Sequence, residues 1–163
     1  MKPFVLALFA AAAIAAPPAL AQNNQQIGSA RAGASCPGCN LFQASFAGLE
    51  AKSRNFSGAR LRQADMNAVV MNGTNFSKAD LRDVDAFGGV FTSANFSGAD
   101  MTNSTFVGTY LQGARFTGAN LTGANFSGAE MDRAVGLTQA QLDKACGDES
   151  TRLPKGMRIP ACG

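Results

Sequence analysis

From Leu41 to Met131 every fifth residue is large and apolar, with two exceptions, and this period of five rules out both regular secondary structures as the organising element. An amphipathic helix repeats its apolar face at 3.6 residues and a half-buried strand at 2. Seventeen of the nineteen residues in this phase are Phe, Leu or Met; Ala51 and Ala86 are the others. Two positions earlier stands a small residue each time, save at Leu49 and Arg54. Asn, Asp, Ser, Thr and Gly fill most of the remaining positions, as in the Ala-Asn-Phe-Ser-Gly units at 94–98 and 124–128. The physical solution is a turn in every unit around one narrow core, with large residues filling it and small ones where the wall comes close. A single unit cannot bury its own core residue, so the units must stack.

The phase resembles the pentapeptide repeat family over residues 39–133. The resemblance implies an all-β solenoid: a right-handed quadrilateral parallel β-helix with four units per coil and about 4.75 coils. On a 20-residue coil Phe56, Phe76, Phe96 and Phe116 form one column, and Phe46, Met66, Ala86, Phe106 and Phe126 face them. All of these read as core. Arg54 would have to point into the wall, which predicts a distorted first coil. Ala86 would leave a gap, and Phe87 either turns inward to fill it or stays outside. Some members of the family resemble duplex DNA in shape and charge and bind topoisomerases, a role that needs a markedly negative face. Between Cys39 and Asp132 this chain has seven basic and eight acidic residues, so that role is not carried over.

The two ends break the period. Residues 1–21 have one Lys, an apolar run interrupted by Pro17 and Pro18, and a small-x-small ending, which reads as a secretory signal peptide cut after Ala21. The run is too short to span a bilayer comfortably, and no membrane insertion is expected after cleavage. Residues 22–38 have almost no large apolar residue and read as a flexible leader closing on the Pro37-Gly38 turn. Residues 134–163 form the other end. Leu137–Ala145 follows a helical pattern, with Thr138 and Gln141 spaced as a capping box. That short C-terminal helix and a Pro- and Gly-containing tail would cover the last coil.

An exported chain meets oxidising conditions, and four cysteines allow three pairings. Spacing points to Cys36–Cys39 and Cys146–Cys162, one pair at each end; the second would stabilise the fold by roughly 3 kcal/mol. A C-x-x-C dithiol can also be catalytic, which makes a thiol–disulfide oxidoreductase the alternative function. That chemistry expects a helix starting at the first Cys, whereas here a repeat follows.

No other constellation points to an enzyme. The chain has no His, which excludes His-based triads and His metal sites. Asp80, Asp83 and Asp85 are too dispersed around a coil for the six or more converging oxygens that calcium requires. No Gly-rich phosphate loop opens a helix, and no cofactor is implied. A net charge of +3 over the whole chain does not favour nucleic acid.

One outward feature stands apart. Val70, Val90 and Tyr110 precede core residues at intervals of 20, and Phe87 and Val107 lie across one corner. Such a contiguous apolar patch marks a candidate site for another protein or a second copy of the chain. The expected function is a non-enzymatic scaffold outside the cytosol, in the periplasm or beyond; a purely structural or stress-tolerance role is the third reading.

Overall fold

The computed structural model describes residues 22–163; the expected signal peptide lies outside them. The same local pattern, a turn followed by a single bridging residue, recurs every five residues from 36 to 135. Parallel bridges join residues 20 apart, for example Asn55, Asn75 and Asn95, so four units make one coil and the coils stack in register. The sheets are reduced to one bridging residue per face.

Each unit is built by a β-turn. In the second unit the Ala44 N–H donates to the Leu41 carbonyl at 3.1 Å, and Gln43 takes a φ of 55°. Positive φ at the second central residue is the mark of a type II turn, and glycine meets it without steric cost. The residue before each core position often caps the turn with its side chain. Asn75 Oδ1 accepts from the Ser77 N–H at 3.0 Å, and Asn95 Oδ1 does the same for Ser97. The Asn and Asp residues of the repeat therefore have a local task.

All nineteen residues of the large apolar phase are at most 2% exposed. Phe56, Phe76, Phe96 and Phe116 stack as a continuous ladder, with ring centroids 5.8, 5.3 and 5.4 Å apart. Polar residues at the small position turn back on the backbone. The hydroxyls of Thr74, Ser104 and Thr109 donate to the carbonyls of Ala51, Met101 and Phe106.

Five details differ from the reading of the sequence. The regular coils begin at Cys36, not at 39, and end at 135, giving five coils rather than about 4.75. Cys36 takes the large inward position of the first unit and Cys39 the small one, so their disulfide staples a turn. Arg54 points outward and its coil keeps register: its carbonyl accepts from the Asn75 N–H at 2.8 Å, and its guanidinium lies near Gly33. Being at the open end of the stack, the side chain has somewhere to go.

The leader is also not a flexible segment. Asn24–Arg31 forms helix α1, with Asn23 as its N-cap. Eight residues make a marginal helix in isolation, so its stability comes from docking. Ala30 is buried and Ile27 packs against the core. Gln26 Oε1 accepts from the Asn40 N–H at 2.7 Å, and Ser35 Oγ accepts from the Asn55 N–H at 3.0 Å. These first-coil donors have no coil beneath them, and the leader supplies the acceptors.

The C-terminal helix, α2, is one turn, Gln139–Leu142, shorter than the helical pattern suggested, but the capping box between Thr138 and Gln141 forms. Leu137 and Leu142 are buried, and Gln141 Nε2 donates to the carbonyls of Phe116 and Ala119. Beyond α2 the tail leaves the helical path and continues the stack. Cys146 bridges to Asn125 and Arg152 to Glu130, with the Cys146–Cys162 disulfide closing the segment. No helix among the described residues is long and apolar enough to cross a membrane.

Candidate interaction surface

Residues just before a core position carry the bridges, so their side chains must face out. Glu50, Val70, Val90, Tyr110 and Glu130 form one such ladder. The backbone of the column is held by Val90 N–H to Val69 O at 2.8 Å and Tyr110 N–H to Gly89 O at 3.0 Å. Phe87 and Val107 stand one turn earlier around the coil, on the other side of the corner. That corner is closed by the Gly89 N–H donating to Ala86 O at 3.0 Å. Phe87 is 58% exposed and Tyr110 47%, whereas Val70, Val90 and Val107 are half-buried. The structure thus brings the five apolar residues to one corner.

Phe87 stays outside for two local reasons. Its N–H donates to Asp85 Oδ1 at 3.2 Å, which fixes the turn with residue 87 pointing away from the core. The space beside Ala86 is also partly taken from the next face. The Phe91 ring lies against the Cα of Gly89, with Cε2 2.5 Å from where a Cβ would be. Phe91 also contacts Phe76, Phe96 and Phe106 at centroid distances of 6.2, 5.8 and 5.6 Å.

The charge around this corner could not be read from the net charge of the repeats. Consider the four outward columns that flank the corner, beginning at Ser45, Ala47, Glu50 and Lys52 and repeating every 20 residues. They carry Glu50, Asp65, Asp85, Glu130 and Asp132 against Lys52 alone, a net of −4. The rest of the repeats carry Arg54, Arg60, Arg62, Lys78, Arg82, Arg115 and Arg133 against Asp80, Asp83 and Asp100, a net of +4. A near-neutral repeat region is therefore polarised across its section. The signal lies in the sequence, but only after the chain is folded on a 20-residue coil and summed by column.

On the corner the cations present are engaged. Lys52 Nζ is 3.4 Å from Glu50, and Arg152 of the tail is 3.9 Å from Glu130. On the opposite side Arg82 grips Asp80 with both Nε and Nη2, at 2.7 and 2.6 Å, and approaches Asp100 at 3.7 Å. The Arg82 hydrogen bond holds the Asp80 carboxyl below the usual carboxylate range. Asp83 pairs with Arg62 at 3.3 Å. No group of acidic or cysteine residues able to hold a metal ion occurs among the described residues.

Residues 55–88 match a profile of pentapeptide repeats of eight copies, and residues 91–135 a second profile of nine copies. Over these residues the coils match pentapeptide repeats. A solved structure, QnrB1, a plasmid-mediated fluoroquinolone resistance protein, is 18% identical, with a TM-score of 0.51 over 76% of this chain and 78% of that one. A pentapeptide repeat protein from the thylakoid lumen of Arabidopsis thaliana is 29% identical, with a TM-score of 0.33 over 73% of this chain and 78% of its own. No curated protein sequence matches the chain. At 18% identity the likeness to QnrB1 extends to the fold and no further.

The pentapeptide repeat lattice explains the cysteines. Cys36 is buried, and α1 ends at Arg31, five residues before it, so no helix starts at the first cysteine. The dithiol context expected of an oxidoreductase is not the one the chain builds.

Proposed function

We propose that this chain is a non-enzymatic protein-interaction scaffold, a right-handed four-sided rod exported from the cytosol, which docks a protein on the corner of Val70, Phe87, Val90, Val107 and Tyr110. The observation that carries the reading is the exposure of two aromatic side chains, Phe87 and Tyr110, on adjacent coils of one corner; the other exposed large apolar residue of the coils, Val135, stands apart in the ladder of Arg115. Exposed aromatics on a pre-ordered backbone bind at low entropic cost. Export is supported by the leader pattern of residues 1–21 and by two disulfides that an oxidising compartment preserves.

A photo-cross-linking amino acid at position 110 tests the docking face in cells that export the protein. The expected result is a discrete adduct absent when the probe replaces Asn95, which lies on another face. Identical adducts from both positions, or none from 110 in folded protein, would remove the corner as a binding surface.

A further inference from the structure

The corner is not simply apolar; it is an apolar strip inside a carboxylate frame. Phe87, Val90 and Tyr110 occupy the middle coils. Glu50 lies below the column, Glu130 above it, and Asp65 and Asp85 run alongside Phe87. Asp85 is fully outward, and its neighbour in the ladder is Asp65, one coil away. Carboxylates held one coil apart on a stiff backbone cannot move away from each other, so their repulsion is built in and awaits a counter-charge.

We infer that the occupant of this corner is a basic amphipathic segment of a different protein: apolar side chains that cover Phe87, Val90 and Tyr110, flanked by Lys or Arg that meet the carboxylate frame. This rests on the docking reading above and adds the partner's chemistry. Charge complementarity makes the choice among possible occupants. A second copy meeting the first corner to corner would set a net of −4 against −4, which penalises a symmetric dimer. An acidic or nucleic-acid partner meets the same barrier. Glu50 and Glu130 already meet Lys52 and Arg152, but a neutral apolar segment would cover Asp65 and Asp85 without offering them a cation. A basic rim on the partner removes that cost and adds electrostatic steering, so attachment should weaken as salt is raised.

The test uses the full chain and three short amphipathic peptides of one apolar pattern, with Lys, Glu or Ser at the polar positions. Two double variants separate the contributions. Phe87→Ser with Tyr110→Thr removes the strip. Asp65→Asn with Asp85→Asn removes charge but keeps the turn caps, because Asn75 and Asn95 already cap their turns through the same oxygen. The Lys peptide should bind the native chain at least about tenfold more tightly than the Glu peptide. The Asn pair should bring that ratio close to one while leaving Ser-peptide binding unchanged, and the Ser/Thr pair should weaken all binding. Equal binding of the Lys, Ser and Glu peptides, abolished by the Ser/Thr pair, would keep the docking face and overturn the basic partner. Binding that ignores the Ser/Thr pair, or no binding by any peptide, would overturn the inference; only the first of these also counts against the corner, which the cross-linking experiment tests independently. A mass that rises with concentration and falls back in the Ser/Thr pair would make a second copy the occupant and overturn the inference too.

Discussion

The ring of Phe91 rests on the bare Cα of Gly89, and a Cβ there would stand 2.5 Å from its Cε2 and 3.1 Å from the Ala86 carbonyl oxygen. Gly89 has no positive φ in this structure, so the glycine is there for space and not for backbone freedom. A large residue at 91 and a void at 89 balance the undersized Ala86 on the adjoining face.

Gly89→Ala should therefore destabilise the rod by about 1–3 kcal/mol, as overpacking does in other cores. In a Phe91→Leu background the same change should cost much less, since Leu111 already sits above Thr109 in the next coil. Urea unfolding of the four proteins of this cycle gives the coupling. Additivity within about 0.5 kcal/mol would mean that the two residues do not share the space.

Phe87 and Phe96 are the same residue type, nine positions apart, on opposite sides of the wall. Phe87→Ser should change stability by less than about 0.5 kcal/mol, whereas Phe96→Ala, in the stacked ladder, should cost about 3–5 kcal/mol. A costly Phe87→Ser would indicate that this ring fills the Ala86 gap after all. Denaturant midpoints with unchanged slopes are the measurement.

Acid should reveal the Asp80–Arg82 pair. The folded carboxyl is held below its ordinary value, chiefly by the Arg82 hydrogen bond. A depressed carboxyl contributes stability above its unfolded pKa, near 3.9, and the contribution is lost as pH falls through the folded value. Between about pH 5 and pH 2 the native chain should lose up to about 0.5–1 kcal/mol more than Arg82→Gln, a figure kept small because the guanidinium is largely solvated. Parallel pH profiles for the two proteins would show that the pair contributes nothing.

The two disulfides should differ in weight and in reach. Cys146–Cys162 spans 16 residues and Cys36–Cys39 spans 3. Removing the first by Cys146→Ala with Cys162→Ala should cost about 3 kcal/mol, and removing the second about 2 kcal/mol, in the loop-entropy model. Because coils contact only their neighbours, the first loss should appear in hydrogen exchange as reduced protection of 144–162 and the last coil, with the Phe76 and Phe96 coils protected. Uniform loss along the rod would contradict such local cooperativity.

The nineteen core positions, the column assignments and the outward path of Val70, Val90 and Tyr110 were legible in the primary structure, whereas four cysteines left three pairings open and spacing only suggested the two that form. A period of five dictates inside and outside at every unit without reference to anything distant, and local turns enforce it. Interactions that cross coils or close an open end were not legible in this way. Residues 22–38 look structureless by composition because α1 has little apolar face; only an uncovered first coil gives Ile27, Ala30 and Gln26 something to bind. Arg54 looked like a defect because its escape route depends on being at the end of the stack. Phe87 was undecided until Gly89 let Phe91 take the space. The −4 and +4 halves cancel along the chain because successive units visit successive faces, so charges adjacent in sequence separate in space, and charges 20 residues apart become neighbours.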